Sequence, residues 1–552
     1  MDWNTRYQFW IDNAPEHVVQ EISSYSEEEK EFAFFENKKF GTAGIRGPIK
    51  YGPNHINEFV ISKAAYAYGV WLIEKYGQQA HDYGVVIAHD NRRNRILFSE
   101  TAAKTLSALG IPVKLFEKNE LQPTPLLSYT VAKLKFVGGI NITASHNPKN
   151  DNGFKVYDQN GKQLDSCDTS RIEEVQNEVQ NIFAIEQNSD LVSEISNTII
   201  DQYIKEIMFM IPFAHRSEDS RKDLKVTFSA QHGTSTKIAE RLMKAMGVDY
   251  ELVSEQCEAD ENFTHTSSPN PQAKESFDLA KQYAEKSGSE VLFATDPDAD
   301  RFGLVIKHNG EWVHIDGNQL PAVQIWYKMM TINEIEDIKK DNFIVRSVVS
   351  SSIGDKIADH YGIKSYATLT GFKWIVREIF KHEADGNECM FAYEESFGSV
   401  VRSFTRDKDS FQALVQVIEM IYYYKKQGKT LVDVLEDVHE AVGHYNSDQI
   451  QVRFEGINGP TELNEFIDGY RSYKVGDELF GMKITEVADF SKGYKNFPKD
   501  NILFIYLNED NFVALRPSGT EPILRIYIDV TADSCEESLS IIEKIKNEIK
   551  NS

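Results

Sequence analysis

Residues 143–148 carry a serine whose surroundings could support group transfer. Ser145 lies ten residues before Lys155, in the stretch Ser-His-Asn-Pro-Lys-Asn-Asp-Asn-Gly-Phe-Lys, and it follows a mostly apolar run at 136–142 that predicts a buried strand. A serine hydroxyl is a poor nucleophile unless a base or a preset charge environment activates it, and His146 and Lys155 are the nearby candidates. The alternative is an ordinary turn, because serine, asparagine and proline are common turn formers.

Three carboxylates at alternate positions, Asp296, Asp298 and Asp300, follow an apolar run at 291–294 that predicts another strand. On extended backbone such positions point to one side, and Pro297 argues against the interior of a helix. Three converging negative charges repel one another, so a divalent cation is the expected partner. Mg²⁺ suits such a site where a phosphate is also bound.

This acidic segment allows two other interpretations. An EF-hand loop beginning at Asp296 would need glycine at its sixth position and glutamate at its twelfth, where the chain has Arg301 and Lys307. An EF-hand is therefore excluded. A solvated acidic turn stays open, although strict alternation directly after a buried strand favours the metal site.

Four more segments accompany the serine and aspartate motifs along the chain. They are residues 41–47 (Gly-Thr-Ala-Gly-Ile-Arg-Gly), 370–374 (Thr-Gly-Phe-Lys-Trp), 393–399 (Tyr-Glu-Glu-Ser-Phe-Gly-Ser) and 516–522 (Arg-Pro-Ser-Gly-Thr-Glu-Pro), the last with Arg525 beyond it. The six motifs, in this order, resemble the α-D-phosphohexomutase superfamily, whose members include phosphoglucomutase and phosphomannomutase. The resemblance covers nearly the whole chain.

The resemblance implies a role for each of these residues. Ser145 would carry phosphate in the resting enzyme, and Ser145 with the three aspartates would bind Mg²⁺. Arg46, His146 and Lys155 would join Ser145 as catalytic residues, with either Lys155 or His146 as the general base. The implied substrate-binding residues are Arg301, Thr370, Gly371, Glu394, Ser396, Lys408, Arg516, Ser518, Gly519, Thr520 and Arg525.

The substrate residues divide by the group that they would bind. Arginines such as Arg516 and Arg525 suit a phosphate, because the planar guanidinium matches its oxygens. Glu394 and Ser396 would bind two adjacent sugar hydroxyls, which fits the 3- and 4-positions. An alternative interpretation places these two residues at the start of a helix, as a cap.

The implied reaction interconverts α-D-glucose 1-phosphate and glucose 6-phosphate through a phosphoserine enzyme, with glucose 1,6-bisphosphate as intermediate and activator. The loop at 394–398 resembles the glucose-preferring phosphoglucomutase branch. The segment at 370–374 resembles a subgroup that also contains phosphopentomutases and glucose-1,6-bisphosphate synthases, so both stay open as alternatives. Two departures from that subgroup, Ser399 and Ser410, leave the sugar ring undecided.

Two further alternatives have less support from the sequence. An inactive sensor that only binds sugar phosphates would be expected to have a damaged serine, metal or base position, and no such position is damaged. A plain phosphatase would release inorganic phosphate instead of an isomer.

Composition limits the partners and the compartment. The chain has 552 residues and a formal charge of −25, and such an acidic surface argues against nucleic acid or an anionic membrane as a partner. Any positive pocket for a sugar phosphate must therefore be local. The four cysteines form no CxxC pair, which suggests neither a zinc site nor a disulfide framework. With no signal peptide or membrane-length apolar run, we expect a cytoplasmic protein, and the oligomeric state is open.

Strand-like runs alternate with helical patterns along most of the chain, which predicts α/β layers. The pattern suggests three successive similar α/β domains, and the resemblance adds a smaller C-terminal α+β domain, all around a central active-site cleft. We expect the domains to span residues 1–205 with the serine loop, 206–318 with the metal loop, 319–438 with the sugar loop and 439–552 with the phosphate loop.

Overall fold

The computed structural model describes residues 2–40, 44–210, 221–335, 337–454, 458–508, 510–518 and 523–551, apart from the side chains of Pro460 and Asn551. Contacts within the chain define two compact units. The first comprises Met1–Ile315 and Gly398–Tyr422, and the second comprises Asp316–Phe397 and Tyr423–Ser552.

Helices and strands alternate through both units. The helices are α1 (Trp3–Asn13), α2 (Glu16–Ser23), α3 (Glu27–Phe34), α4 (Glu58–Tyr76), α5 (Gln78–Tyr83), α6 (Arg95–Ala108), α7 (Thr124–Leu134), α8 (Ser166–Glu178), α9 (Thr198–Phe209), α10 (Thr236–Met246), α11 (Ser254–Cys257), α12 (Asp278–Ser287), α13 (Gln319–Asn333), α14 (Ile353–His360), α15 (Phe372–Glu383), α16 (Ser410–Lys425), α17 (Leu431–Val442), α18 (Gly459–Arg471) and α19 (Cys535–Asn551). The strands are β1 (Ile45–Pro48), β2 (Val85–His89), β3 (Val113–Phe116), β4 (Gly138–Ile142), β5 (Asp151–Asp158), β6 (Val192–Ile195), β7 (Lys225–Ser229), β8 (Asp249–Leu252), β9 (Val291–Thr295), β10 (Phe302–His308), β11 (Glu311–Ile315), β12 (Phe343–Ser347), β13 (Lys364–Thr368), β14 (Cys389–Glu394), β15 (Gly398–Val400), β16 (His444–Arg453), β17 (Glu478–Leu479), β18 (Met482–Asp489), β19 (Leu503–Leu507), β20 (Asn511–Pro517) and β21 (Ile523–Ala532).

Helices α1–α3 precede the first sheet, and no sequence pattern had predicted them. A capping box starts α3: Ser26 Oγ accepts from the Glu29 backbone N–H, and the Glu29 carboxylate accepts from that of Ser26. Trp10, Ile22 and Phe34 belong to a separate apolar cluster formed by these helices. Helices of eight residues, such as α2 and α3, are too short to show a clear apolar repeat.

The first sheet has the strand order β1-β5-β4-β2-β3-β6. Strands β4, β2, β3 and β6 run parallel to one another. Strand β5 pairs in the antiparallel sense with both of its neighbours, β4 and β1. Both β2 and β4 are buried along their whole lengths, as is typical of strands covered by helices on both faces. Their register pairs His89 with Ile142, so both strands end at the same edge. Ser145 lies three residues beyond that edge, where open α/β sheets usually bind ligands.

The second sheet of the first unit has the order β11-β10-β9-β7-β8, with β9, β7 and β8 parallel. Strand β10 runs antiparallel to β9, and their register pairs Thr295 with Phe302. The residues from 296 to 301 are therefore confined to a tight connection between paired strands. This connection holds the three alternating aspartates.

In the second unit, β12 lies between β13 and β14, and all three run parallel. Strand β14 is buried throughout and ends at Glu394, and residues 395–397 form a turn. The interpretation of Glu394 and Ser396 as the cap of a helix is therefore wrong. A short apolar run in a sequence is compatible with either a buried strand or a helix. Here it is a strand, so Glu394 is the last residue of β14 and not the start of a helix.

The C-terminal part of the second unit is an antiparallel sheet in the order β16-β21-β20-β19-β18-β17. Its core includes Ile505, Val513 and Ile526 from the sheet with Ile467 from α18 and Ile545 from α19. Three α/β sheets followed by this smaller α+β part confirm the predicted fold class.

The predicted domain divisions can be compared with the elements. Those near residues 205 and 438 fall within α9 and α17, and the one near 318 falls just before α13. As domain boundaries they stay predictions. Among the described residues, no helix has the length and apolarity needed to cross a membrane.

Candidate functional site

Ser145 lies in a strained turn beyond β4. Its φ of 51° is left-handed, a conformation that costs a non-glycine residue about 1–3 kcal/mol and that clusters at functional sites. The side chain is 1% exposed. Its Oγ donates to Asp296 Oδ2 at 2.7 Å, and its backbone N–H donates to Thr143 Oγ1 at 2.8 Å. The hydroxyl is therefore held against the acidic loop.

Arg92 fixes the backbone of the serine loop. One guanidinium nitrogen donates to the carbonyl oxygens of Ser145 and Asn147 at 2.7 and 2.6 Å, and the other donates to those of Pro148 and Asp151, both at 2.8 Å. Arg92 is fully buried. Four carbonyl contacts from one rigid side chain leave the loop little freedom to change its shape.

Asp90 connects this arginine to the serine loop from the other side. Its Oδ2 lies 3.3 Å from Arg92 Nε and accepts from Thr143 Oγ1 at 2.6 Å. Burial raises the pKa of Asp90, and the charge of Arg92 opposes that rise. Sequence reasoning missed both residues. Their only signal in the sequence is the polar segment 89–92 after an apolar run.

The carboxylates of Asp296, Asp298 and Asp300 come together in the connection between β9 and β10. One oxygen of each lies within 4.8 Å of the others, and all three side chains are buried. Ala299 has a φ of 56°, and its N–H donates to the Asp296 carbonyl at 3.0 Å, so the loop folds back on itself. A solvated acidic turn does not describe these buried groups.

The three carboxylates fit a divalent cation. Within the described part of the chain, Oδ1 of Asp298 and Oδ1 of Asp300 are buried without an N–H or hydroxyl donor. Burial, together with Asp300 and Asp298, raises the pKa of Asp296 well above its ordinary value. Burial acts in the same direction on Asp298, but Lys155 and hydrogen bonds outweigh it and hold the pKa of Asp298 low. Carboxylate oxygens are ligands that Mg²⁺ prefers.

Cationic side chains contact the same loop. Lys155, on β5, donates to Asp298 Oδ2 at 2.6 Å and lies 3.5 Å from Asp300 Oδ2. Lys408 Nζ lies 3.2 Å from Asp300 Oδ2, and Arg301 Nε lies 3.9 Å from Asp300 Oδ1. This acidic protein thus concentrates positive charge at the loop, as an anionic substrate would require.

His146 lies beside the serine hydroxyl. Its Nδ1 is 3.2 Å from Ser145 Oγ. Burial lowers the pKa of His146 well below its ordinary value, and the charges of Arg301 and Arg46 add to this effect. The imidazole is therefore neutral at neutral pH. Arg46 itself lies in β1, opposite Gly153 of β5.

Hydroxyl and amide groups brace the acidic loop. Thr124 Oγ1 donates to Asp298 Oδ2 at 2.8 Å, and Asn141 Nδ2 donates to Thr124 Oγ1 at 2.7 Å. Ser410 Oγ donates to the Ala299 carbonyl at 2.7 Å. Ser410 departs from the expected family pattern, and here its hydroxyl supports the turn that gathers the aspartates.

In the second unit, Arg516 on β20 and Arg525 on β21 are direct partners in the antiparallel register. Like charges opposite each other on neighbouring strands repel, and a bound anion would relieve the repulsion. Arg525 Nε is buried without a hydrogen-bond partner among the described residues. Ser518 follows β20 directly. Gly519 and Thr520 lie outside the described residues.

The predicted sugar-binding residues lie on two other loops of the second unit. Ser396 Oγ donates to Glu394 Oε2 at 3.5 Å across the turn after β14. Thr370 is buried, and its Oγ1 has no hydrogen-bond partner in the part of the chain that the structure describes. Gly371, with a φ of 107°, precedes α15. Both loops leave the same edge of the parallel sheet.

The structure therefore brings one set of predicted residues together within the first unit, and it places Thr370, Gly371, Glu394, Ser396, Arg516, Ser518 and Arg525 on loops and strands of the second. The first set is Arg46, Ser145, His146, Lys155, Asp296, Asp298, Asp300, Arg301 and Lys408. Residues 41–43 of the N-terminal motif lie outside the described residues.

Comparisons with known proteins identify the family. Three models of the phosphoglucomutase/phosphomannomutase family match in succession: alpha/beta/alpha domain I over residues 37–182, domain II over 201–310 and domain III over 316–441. A phosphoglucomutase from Staphylococcus epidermidis is 32% identical, over 98% of this chain and 99% of its own length. The chain belongs to the phosphoglucomutase/phosphomannomutase family. A phosphoglucomutase from Staphylococcus aureus is 33% identical over 96% of each chain.

A solved structure agrees with the fold of this phosphoglucomutase/phosphomannomutase family member. The exocytosis-sensitive phosphoprotein pp63/parafusin, a phosphoglucomutase from Paramecium, superposes with a TM-score of 0.70. It covers 94% of this chain and 95% of its own, at 18% identity. The resemblance to the α-D-phosphohexomutase superfamily, and to its phosphoglucomutase branch, is confirmed.

Proposed function

We propose that the protein is a phosphoglucomutase that interconverts α-D-glucose 1-phosphate and glucose 6-phosphate through glucose 1,6-bisphosphate. The observation that carries the proposal is the buried contact of 2.7 Å between Ser145 Oγ and Asp296 Oδ2, beside Lys155 and His146. The names of the curated relatives, at 32% and 33% identity over nearly the whole chain, support the same activity.

In this proposal the resting enzyme is a phosphoprotein with its phosphate on Ser145. Ser145, Asp296, Asp298 and Asp300 would hold Mg²⁺, since their oxygens converge and two carboxylate oxygens lack donors. When bound, the ion would neutralise phosphate charge and stabilise the serine oxygen as leaving group. Lys155 and Lys408 contact Asp298 and Asp300 and help to hold them in place.

The second unit supplies the groups that recognise a sugar phosphate. Paired arginines, hydroxyls and backbone N–H groups bind the phosphate that does not react. Two adjacent sugar hydroxyls are bound by one acceptor and one donor, so that both orientations of the sugar fit the same loop. The proposed phosphate residues are Arg516, Ser518, Gly519, Thr520 and Arg525, the proposed sugar residues are Glu394 and Ser396, and Thr370 and Gly371 are further proposed substrate residues of this unit.

The chemical step moves one phosphoryl group and one proton. The free hydroxyl of the sugar attacks the phosphorus of phosphoserine, a sugar O–P bond forms and the Ser145 O–P bond breaks. His146 takes the hydroxyl proton and passes it to the departing Ser145 oxygen, which lies 3.2 Å from its Nδ1. Lys155 is paired with Asp298 and serves charge balance instead. The bisphosphate then turns around and returns its other phosphate to Ser145, so isomerisation loses no phosphate.

We place this reaction in the cytoplasm, with a small-molecule sugar phosphate as the partner. The four cysteines are free, as is usual for proteins of reducing compartments.

A coupled assay with glucose 1-phosphate, Mg²⁺ and catalytic glucose 1,6-bisphosphate tests the proposal. We expect the wild type to form glucose 6-phosphate, Ser145→Ala to lose about 10⁴-fold or more of that activity, and the exposed control Ser170→Ala to be unaffected. The mass of the intact protein should show one phosphate that Ser145→Ala lacks.

Other products would replace the proposal with a specific alternative. Turnover of ribose or deoxyribose 1-phosphate alone would make the enzyme a phosphopentomutase, and net accumulation of glucose 1,6-bisphosphate would make it a synthase. Continuous release of inorganic phosphate would indicate a phosphatase. Binding without any turnover would leave only a sensor.

A further inference from the structure

A second cluster of potential metal ligands lies in the second unit, and it consists of His439, His444 and Cys535. Cys535 Sγ is 2.9 Å from His439 Nδ1 and 3.4 Å from His444 Nδ1. One ligand atom of each residue lies within 4.8 Å of the others. His439 is buried and the other two are half-buried, so the cluster is close to solvent but not open to it.

Three separate elements build this cluster. His439 lies in the last turn of α17, which ends at Gly443 with a φ of 110°. That left-handed conformation turns the chain sharply into β16, which begins with His444. The register of β16 and β21 pairs His444 with Ala532, and α19 begins three residues later at Cys535.

Further contacts hold α19 against β16. Asn446 Nδ2 donates to Ser538 Oγ at 2.8 Å, one turn of helix beyond Cys535. The centroids of the two imidazole rings lie 5.9 Å apart, and the Nδ1 atoms of both rings face Cys535 Sγ. The geometry therefore depends on the packing of the second unit and not on a local sequence motif.

We propose that His439, His444 and Cys535 form a binding site for a borderline-soft divalent metal ion of the Zn²⁺ class, with a fourth position left to water. Two imidazoles and one thiolate are typical ligands of such ions, and a tetrahedral Zn²⁺ site with Zn–S of about 2.3 Å and Zn–N of about 2.0 Å places sulfur and nitrogen about 3.5 Å apart. The measured distances of 2.9 and 3.4 Å need only a small expansion to admit the ion.

The chemistry of the ligands separates this site from the aspartate loop. Mg²⁺ prefers oxygen ligands, whereas thiolate and imidazole select transition metals. Imidazole binds such ions in its neutral form and cysteine binds them as thiolate, so binding of the ion would release the thiol proton.

An ion at this position would crosslink α17, β16 and α19 of the second unit. The match to the third α/β domain ends at residue 441, so His439 lies inside it and His444 and Cys535 lie beyond it. The ion would therefore link α17 to the C-terminal sheet and to α19. Binding to the folded state alone would stabilise the second unit.

Titration of the full-length, chelator-treated protein with Co²⁺, in saturating Mg²⁺, tests the site. A thiolate ligand gives a near-ultraviolet charge-transfer band that carboxylates cannot give, so the aspartate loop cannot mimic it. We expect one equivalent of Co²⁺ to produce the band and Zn²⁺ to remove it. Cys535→Ser should abolish the band, and His444→Ala should weaken Co²⁺ binding at least about 10-fold.

Matched controls keep the test decisive. Cys167→Ser, which removes an exposed thiol on α8, should retain the band. Mutase activity in Mg²⁺ should be unchanged in Cys535→Ser and His444→Ala, which also shows that these variants are folded. Absence of the band in the wild type, or its persistence in folded Cys535→Ser, would overturn the proposal.

Discussion

The aspartate loop and the Cys535 cluster differ in how the chain assembles them. The loop takes its three acids from five consecutive residues between two paired strands, and its ligands are hard oxygens. The cluster takes its ligands from two helices and a strand. About ninety residues of sequence separate the two histidines from Cys535. A site confined to one loop can be recognised in a sequence, and a site assembled by packing cannot.

Their surroundings differ as well. Lys155, Lys408 and Arg301 contact the aspartate loop, so its charge is already partly balanced without an ion. At the Cys535 cluster the ligands are two imidazoles and one thiol group, which contact one another. The first arrangement suits an ion that works beside a charged substrate, and the second suits one that holds elements together.

The largest expected effect tests the first half of this comparison. Asp298→Asn keeps the size of the side chain but removes a charge and leaves Lys155 without its closest partner. We expect kcat with Mg²⁺ to fall by about 10³-fold, as when a group that stabilises transition-state charge is removed. The coupled assay measures this.

An exposed acid gives the control for that change. Asp278→Asn, on α12, should retain full activity. The Co²⁺ band of Asp298→Asn should equal that of the wild type, since the two sites share no residue. Full activity of Asp298→Asn would remove the loop from the mechanism.

A smaller effect is expected from a change at Arg92, which fixes the backbone of the serine loop. Arg92→Lys keeps the charge but cannot reach four carbonyl oxygens at once, so Ser145 should lose its fixed position. We predict that kcat falls by about 10²-fold while KM for glucose 1-phosphate changes little, because the displaced residue is not a binding residue. Steady-state kinetics separate the two constants.

The neighbouring arginine is the matched control here. Arg93 lies on the exposed side of the same turn, so Arg93→Lys should behave as the wild type. An increase in KM without a fall in kcat would show that Arg92 affects substrate binding and not the position of the serine.

These residues also show how far sequence reasoning extends. Motifs that lie within one loop, such as Ser145 with His146 or the alternating aspartates, can be recognised because their reactive residues are close together in the sequence. Arg92 could not be found, because its importance lies in carbonyl oxygens that only the folded serine loop presents. The fold class followed from alternating strands and helices, whereas the short N-terminal helices carried too little periodicity to predict.

The cysteines make the same point more strongly. Wide spacing and the lack of a CxxC pair argued against a metal site, yet Cys535 lies beside two histidines. The missing information was the register that places His444 opposite Ala532. Pairing of distant strands is decided by the whole sheet, so no local pattern could have revealed it.

Asp529, on β21, is a buried acid outside both clusters. Burial raises the pKa of Asp529 on β21 to about 6, and the hydrogen bond from the Ser352 N–H opposes this only partly. Because the folded state holds the proton more tightly, this group favours folding below about pH 4, and that contribution is lost as pH rises to about 6. The asparagine of Asp529→Asn does not ionise, so the variant should not lose this contribution as pH rises. Its free energy of unfolding relative to that of the wild type should therefore increase by about 2 kcal/mol from about pH 4 to about pH 7.

Urea denaturation at the two pH values measures this difference. The exposed Asp533→Asn should show no such change with pH. An equal pH dependence in Asp529→Asn and the wild type would mean that another group is responsible.

The last expected effect tests the proposed metal site at the Cys535 cluster. Zn²⁺ at about 100 times its Kd should stabilise the folded state by about 2.7 kcal/mol, which corresponds to an increase in Tm on the order of 5 °C for a unit of this size. The increase should persist in Asp298→Asn and disappear in Cys535→Ser, as measured by thermal unfolding with and without Zn²⁺. The opposite pattern, in which only Asp298→Asn loses the increase, would place the stabilising ion in the aspartate loop. In that case the Cys535 cluster would be a hydrogen-bonded contact between elements and not a site that joins them through a metal.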